Sequence, residues 1–234
     1  MNIAGITSHF AELEILVSRK KPKIIMLTET HLTLDIDRSE YNIENYRMLC
    51  CYSVSRHTGG VMMYVHESVK FNVVDNSTCG LNWFIAVKVV KGLTAGVYGL
   101  LYHSLCVNDR DFLTHLEQTW LDKIIDDKGM NLIAGDFNID WKNNKDSKHL
   151  RCLMQCFNLD QKVTNITRNT SRSKTIIDLV FCNFNELSVT IDQDNKISDH
   201  ETIQIQFKKS QSLYRVISQL NAGKNIRRAH LFLC

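Results

Sequence analysis

The sequence predicts a single layered α/β domain, and three observations support this prediction. The chain has 234 residues and 44% of them are hydrophobic, which is enough for one large core. Short apolar runs that end at glycine or polar residues recur along the chain, as expected of buried strands. Apolar residues at helical spacing accompany these runs, so helices are expected to cover the sheets.

The N-terminal part predicts a helix followed by a buried strand. Leu13 and Val17 lie at helical spacing, and a basic cluster before Pro22, the only proline, is typical of a helix C-terminus. Residues 24–27 form the next apolar run and predict a strand. Glu29 comes directly after it, where a carboxylate could be a metal ligand or an ordinary solvated group.

The middle of the chain changes to a series of short predicted strands. They are expected over 61–65, 69–74, 84–90 and 95–101, with two more near the end of the domain over 187–191 and 202–207. Glycine-containing turns separate several of them. The strand over 95–101 runs into Tyr102-His103, whose phenol and imidazole could serve a functional site or simply cap the core.

Two further helices are predicted on either side of residue 135. The first is capped by Asn108 or by the aspartate after it, and the second covers about 146–157. His149, Cys152 and Cys156 lie close together on the second helix. Because no fourth ligand with the usual spacing accompanies them, buried thiols are favoured over a zinc site.

The most informative stretch is Gly135-Asp136-Phe137-Asn138, which follows the apolar run 131–134. Such a run predicts a buried strand that delivers its last residues to the edge of a sheet. Asp136 and Asn138 are two residues apart and are expected to project on the same side. A carboxylate there can orient a water molecule, and an amide can hold an anionic oxygen.

Two carboxylates and a histidine near the C-terminal end of the domain extend this pattern. Asp178 interrupts an otherwise apolar predicted strand, and a buried carboxylate is costly unless it is paired. In an extended chain, Asp199 and His200 point to opposite sides. Asp199 can therefore serve a metal while His200 pairs with Asp178. Together with Glu29, these residues indicate metal-assisted attack of water on a phosphodiester.

A polar segment over 164–174 contains serine, threonine, asparagine and basic residues but no acid. Such a segment could contact phosphates and minor-groove base edges, with Arg168, Arg172 and Lys174 supplying positive charge. An ordinary polar hairpin loop is the alternative.

Charge and cysteine usage limit the class of protein. The formal net charge of +3 is weak evidence for a polyanionic partner, but no acid follows Glu201 and six basic residues do. We expect residues 208–234 to form a basic extension of a domain over 1–207.

The chain has eight cysteines without a regular framework and no visible signal peptide, which predicts reduced thiols. It also has no apolar run of membrane length, so no membrane association is expected. The sequence Lys20-Lys21-Pro22-Lys23 could direct nuclear import or merely end a helix.

Several motifs occur in an order that resembles a known family. They are Asn2-Ile3, Thr28-Glu29-Thr30-His31, Gly59-Gly60-Val61, Gly135-Asp136-Phe137-Asn138, Ile177-Asp178-Leu179-Val180-Phe181 and Ser198-Asp199-His200. Over about residues 2–207 the chain resembles the endonuclease/exonuclease/phosphatase superfamily, most closely the endonuclease domain of LINE-type (non-LTR) retrotransposons. The resemblance implies a DNase I-like, four-layer α/β sandwich. Two packed, mostly antiparallel sheets would be flanked by helices, with the site at one rim.

The resemblance also implies a metal site. Glu29 would be the principal ligand of Mg²⁺, or of Mn²⁺, with Asn2 beside it and Asp199 nearby. Relatives have a full strand before the position of Asn2, where only Met1 stands here. A truncated first strand and a loose site near Glu29 are therefore expected.

The same resemblance assigns the catalytic groups. Asp136 would orient or deprotonate the attacking water, and Asn138 would hold a phosphate oxygen. His200, fixed by Asp178, would stabilise the pentacovalent phosphate, and Tyr102 would contact the same group.

The implied activity is nicking of one strand of double-stranded DNA, which Thr167 and the segment after it would contact. In an intact element the nick primes reverse transcription, but the polymerase domain is not in this chain. We expect a nuclear monomer. A non-catalytic DNA-binding or interaction remnant, and a phosphatase of the same superfamily, are the alternatives.

Overall fold

The computed structural model describes residues 1–192 and 196–208. Its helices are α1 (Ile6–Lys20), α2 (Asp109–His115), α3 (Asp122–Ile124) and α4 (Lys148–Cys156), with a 3₁₀ turn at Arg38–Tyr41 and a π-helical segment, Leu116–Leu121, that joins α2 to α3. Its strands are β1 (Ile24–Thr28), β2 (Tyr46–Cys51), β3 (Val61–His66), β4 (Lys70–Cys79), β5 (Asn82–Lys91), β6 (Gly96–His103), β7 (Met130–Asp136), β8 (Asp160–Gln161), β9 (Arg168–Asn169), β10 (Lys174–Thr175), β11 (Asp178–Cys182), β12 (Leu187–Asp192) and β13 (Thr202–Phe207).

The smaller main sheet lies between helix α1 and the larger sheet. Its three strands are antiparallel in the order β1-β3-β2. Side chains alternate along β3, as the two-residue period of a strand requires. Val61, Met63 and Val65 pack into the core shared with the larger sheet, whereas Met62 and Tyr64 face the core beneath α1. Both faces of this sheet are therefore buried.

The larger sheet has six strands in the order β4-β5-β6-β7-β11-β8. Its pairs are antiparallel except β6 with β7, which are parallel because the chain crosses over through α2 and α3 between them. Trp120 and Leu150, from the helical segments on the outer face, are buried against this sheet. The order helix, sheet, sheet, helix confirms the predicted four-layer sandwich.

Strand register collects the functional side chains at one rim. Tyr102 of β6 pairs with Asp136 of β7, and Asp136 pairs on its other side with Asp178 of β11. Glu29 directly follows β1 in the facing sheet, and Asn2 forms a parallel bridge with Thr28. Residues far apart in sequence therefore meet because their strands end at the same edge.

The segment before α1 is fixed to the end of β1. Thr28 N–H donates to the Met1 carbonyl, and Ile3 N–H donates to the Thr28 carbonyl, each at 3.0 Å. Gly5 N–H donates to the Glu29 carbonyl at 2.8 Å. The loose geometry expected near Glu29 is therefore not found.

Most predicted elements are confirmed, and the differences are local. The segment 164–174 contains a short hairpin, β9 with β10. The sequence did not single out β2 or the two-residue strand β8. Cys152 and Cys156 are exposed, so the expectation of buried thiols on α4 was wrong. Their positions on the helix turn them away from the apolar stripe that faces the sheet.

Most of the predicted basic extension, 209–234, lies outside the described residues. Within the described residues, no helix is long and apolar enough to span a membrane.

Gly135 permits the close approach of β7 and β6, and we expect Gly135→Ala to destabilise the domain. An added Cβ would lie 1.9 Å from the Leu101 carbonyl oxygen, so the two central strands would have to separate. The expected loss in the free energy of unfolding is about 2–4 kcal/mol, measured by denaturant titration. Gly80→Ala is the control, because its Cβ meets nothing within 4 Å and only a backbone cost of about 1 kcal/mol is expected. Equal losses in both variants would contradict the packing argument.

Candidate active site

One open cleft at the rim brings together most of the predicted site residues. Those lining it are Asn2, Glu29, Tyr102, Asp136, Asn138, Arg168, Asp199 and His200. Asp178 lies directly behind His200. These side chains share one cleft although they come from residues 2 to 200, which is the geometric condition for joint action on one ligand.

Asp136, Asp178 and His200 form a buried cluster at the floor of the cleft. Their exposures are 1%, 4% and 4%. His200 Nδ1 donates to Asp178 Oδ2 at 2.7 Å and lies 3.9 Å from Asp136 Oδ2. The predicted pairing of Asp178 with His200 is therefore present. It fixes the ring and leaves Nε2 on the opposite side.

Burial sets the protonation of this cluster. It raises the pKa of Asp136 to about 7, assisted by the negative charge of Asp178 and opposed by His200 and by the hydrogen bond from Asn2. For His200, burial disfavours the imidazolium, but the bond to Asp178 and the nearby carboxylates outweigh it and raise the pKa. Asp136 can thus gain or lose a proton near neutral pH, as a general base should.

Glu29 is held by donors on both carboxylate oxygens. The Tyr102 hydroxyl donates to Oε1, His31 Nε2 donates to Oε2 at 2.5 Å, and Gly59 N–H approaches Oε2 at 3.4 Å. Burial works against the ionised form, yet these bonds prevail and lower the pKa of Glu29. Burial, together with the bond to Glu29, raises the pKa of Tyr102. Glu29 is therefore an oriented carboxylate, and Tyr102 is a neutral donor.

Sequence reasoning did not assign a role to His31. It lines the cleft and contacts Glu29. Its only signal was its place at the end of the Thr28-Glu29-Thr30-His31 motif. Spacing alone could not show that the chain turns back at this point, where both Glu29 and His31 have positive φ values.

Two amides flank Asp136. Asn2 Nδ2 donates to Asp136 Oδ2 at 3.1 Å, and Asn138 N–H donates to Oδ1 at 3.1 Å. The side chain of Asn138 is itself fixed, because its Nδ2 donates to the His103 carbonyl at 2.7 Å. His103 is fully buried and stacks on Phe112 with ring centroids 4.0 Å apart. It supports the site from behind.

Thr167 lies in the interior of the domain, so its predicted contact with DNA was wrong. The residue has no exposed surface. Its hydroxyl accepts hydrogen bonds from the backbone N–H groups of Ile177 and Asp178 at 3.1 and 3.0 Å. Its carbonyl also accepts from Glu201 N–H at 2.7 Å. Thr167 therefore joins the start of β11 to the segment that carries His200.

We expect Thr167→Val to destabilise the domain by about 2–4 kcal/mol, because two buried N–H groups would lose their acceptor. Thr167→Ser keeps the hydroxyl oxygen and should lose about 1 kcal/mol or less. Denaturant unfolding of both variants measures the difference. An unfolding free energy for Thr167→Val within about 0.5 kcal/mol of wild type would contradict this account.

The predicted DNA-contacting cations lie on the hairpin beside the cleft. Arg172 and Lys174 are exposed. Arg168 Nε donates to Asp199 Oδ2 at 2.9 Å, with the two side chains 35% and 44% exposed. Burial and the Arg168 bond act in opposite senses on Asp199, and its pKa is lowered. Asp199 is therefore an ionised carboxylate at the cleft, engaged by a cation.

The donor set of the cleft fits a hard divalent cation. Glu29, Asp199 and the amide of Asn2 offer oxygen ligands, which Mg²⁺ and Mn²⁺ prefer. Asp136, Asp178 and His200 form a second acidic and histidine group that could hold a metal, with one ligand atom from each lying within 4.8 Å of the others. The chemical roles of all these residues remain predictions.

Comparison with known proteins supports the interpretation of the motifs. Residues 102–204 match the family described as endonuclease-reverse transcriptase. This region contains Tyr102, Asp136, Asp178 and His200. No curated protein sequence matches the chain.

Solved structures share the fold over most of the chain. AP endonuclease LMAP from Leishmania major has a TM-score of 0.68 at 12% identity, covering 89% of this chain and 86% of that one. The endonuclease domain of TRAS1, a telomere-specific non-LTR retrotransposon, has a TM-score of 0.68 at 15% identity, covering 90% and 97%. An AP endonuclease from Archaeoglobus fulgidus has a TM-score of 0.65 at 14% identity, covering 89% and 97%. These likenesses confirm the predicted fold.

Proposed function

We propose that this chain, with its endonuclease-like fold and its match to the endonuclease-reverse transcriptase family, is a metal-dependent DNA endonuclease derived from a non-LTR retrotransposon. It would hydrolyse a phosphodiester and nick one strand of target DNA. The observation that carries the proposal is the arrangement of Asp136, His200 and Glu29 around one cleft.

Asp136 would orient the attacking water and accept its proton. Its carboxylate is buried and is held by Asn2 and Asn138. A pKa of about 7 leaves a large fraction ionised at neutral pH, and proton transfer is efficient when the pKa of the base is close to the ambient pH.

His200 would donate through Nε2 to a phosphate oxygen. Its Nδ1 is bonded to Asp178, so the ring cannot rotate and the charged form is stabilised. Negative charge grows on the phosphate oxygens as water attacks, and prearranged donors stabilise that charge more than they stabilise the ground state. The Asn138 amide would contact the same group, and the Tyr102 hydroxyl could do so after its single hydrogen leaves Glu29 Oε1.

Glu29, with Asn2 and Asp199, would hold Mg²⁺ or Mn²⁺. The ion would supply positive charge next to the scissile phosphate. His31 and Tyr102 fix the Glu29 carboxylate in advance, which lowers the entropic cost of binding.

Double-stranded DNA is the proposed partner. Arg172 and Lys174 are exposed on the hairpin next to the cleft and can neutralise backbone phosphates. Arg168 could do so after leaving Asp199. We also propose that the protein acts as a monomer and in the nucleus, where its substrate is.

The test incubates purified protein with supercoiled plasmid and Mg²⁺. Conversion to open circles that EDTA abolishes would support the proposal. A gel shift without nicking would instead support a DNA-binding remnant. Cleavage of a phosphoinositide head group with intact plasmid would support a phosphatase.

A further inference from the structure

Leu105 is an exposed apolar side chain on the wall of the catalytic cleft. It is 72% exposed. It lines the catalytic cleft and also a second cleft beside it, and both clefts include Asn138 and Arg168. Leu105 therefore stands on a ridge between two concave surfaces.

The turn that presents Leu105 is fixed on both sides. Ser104 N–H donates to Asn82 Oδ1 at 3.3 Å, and Val107 N–H donates to the Ser104 carbonyl at 3.0 Å. Asn108 then caps helix α2. Because the backbone of this turn is already ordered, covering Leu105 costs only the rotamer freedom of one side chain, and burial of its apolar surface can add to binding.

Leu105 is distinguished from the other exposed apolar side chains by its place at the cleft. Six large apolar side chains are exposed in the part of the chain that the structure describes, and three of them are Leu34, Val54 and Leu105. Single exposed apolar residues need no explanation. Leu105 differs from the other five because it alone among them lines the two clefts.

We propose that Leu105 packs against the deoxyribose and base edge of the nucleotide next to the scissile phosphate and so helps to select the nicking site. This inference rests on the proposed function, because the catalytic cleft must hold the phosphate for the ridge to meet the neighbouring nucleoside. A leucine offers no hydrogen bond. It therefore discriminates by shape, by contact with a thymine methyl and by the ease with which a base step unstacks.

The test compares wild type, Leu105→Ala, Leu105→Met and Val90→Ala. Val90 is the matched control, because it is also an exposed apolar residue, with 53% exposure. It lies near the end of β5, whereas the start of β5, at Asn82, pairs with His103 next to the Leu105 turn. Nick positions on supercoiled plasmid are mapped by sequencing. The second substrate is bis(p-nitrophenyl) phosphate, a diester without deoxyribose or base.

Leu105→Ala should lower the ratio of plasmid nicking to small-diester hydrolysis about tenfold, the effect of losing one buried apolar side chain. It should also flatten the distribution of nick positions. Leu105→Met keeps the apolar bulk and should retain the wild-type ratio, as should Val90→Ala. If wild type nicks and Leu105→Ala shows the same ratio and map, the inference is wrong while the proposed function stands.

A binding measurement tests the Leu105 contact independently of the proposed endonuclease activity. A duplex containing 2-aminopurine, which fluoresces more when it unstacks, is titrated with each variant in EDTA. If wild type cleaves neither substrate, the proposed function is wrong and this titration decides about Leu105. A smaller fluorescence gain with Leu105→Ala than with wild type supports the contact, and equal gains overturn it.

Discussion

Asp136→Asn is expected to reduce plasmid nicking by about 10³-fold or more. The substitution keeps the size of the side chain and the acceptor for Asn138 N–H, but it removes the only group at this position that can take a proton from water. Asp136 is 1% exposed and lies between Asn2 and the Asp178–His200 pair. Bulk solvent therefore cannot replace it.

The measurement is the initial rate of open-circle formation in Mg²⁺ with DNA in excess. Asp140→Asn is the matched control, because Asp140 is a half-buried aspartate that lies four residues further along the chain and does not line the catalytic cleft. Its rate should stay within about threefold of wild type. If Asp136→Asn nicks plasmid at a rate comparable to wild type, Asp136 is not the general base and the proposed mechanism is wrong.

The same substitution should raise the stability of the folded protein at pH 8. The pKa of Asp136 is raised from 3.8 to about 7, so the folded state retains a proton that the unfolded state has already lost. The free energy of unfolding therefore falls as the pH rises from about 4 to about 7, and the carboxylate costs up to about 4 kcal/mol above that range. Asparagine carries no such cost, but its Nδ2 cannot accept the hydrogen bond that Asn2 Nδ2 donates to Asp136 Oδ2, a loss of about 1 kcal/mol at every pH.

Thermal unfolding of wild type and Asp136→Asn in EDTA at pH 4, 6 and 8 measures this effect. The change in unfolding temperature should be a small loss at pH 4, turn into a gain through pH 6 and level off by pH 8. Chelator is needed because a bound cation would stabilise the carboxylate. A gain that is the same at all three pH values, or a loss at pH 8, would show that Asp136 ionises freely in the folded protein.

These two expectations together separate catalysis from folding. A variant that is more stable yet inactive cannot owe its inactivity to unfolding. The cause is the same for both effects, since burial of Asp136 beside Asp178 makes the carboxylate a better base and a poorer contributor to stability.

The layered fold was predictable because its signals are local. The alternation in β3 and the helical stripe of α1 are visible in the order of apolar and polar residues. Side chains return to the same face every two residues in a strand and every 3.6 residues in a helix. The pairing of His200 with Asp178 was also predictable, because a carboxylate inside an apolar strand requires a partner.

The tertiary structure alone decided how each polar group is used. Thr167 was expected to contact DNA, yet its hydroxyl accepts hydrogen bonds from the backbone N–H groups of Ile177 and Asp178 at the start of β11. His31 was not assigned a role, but a positive φ turns it toward Glu29. Sequence spacing contains no information about such turns and contacts.

What the sequence determined by itself is the set of chemical groups and the elements that carry them. What only the tertiary structure decided is which groups meet at the rim, which are buried and which protonation states they adopt. The physical reason is that periodicity follows from the identity of neighbouring residues, whereas burial and pairing arise between strands that are distant in the chain. The raised pKa of Asp136 exists only because β6, β7 and β11 end side by side.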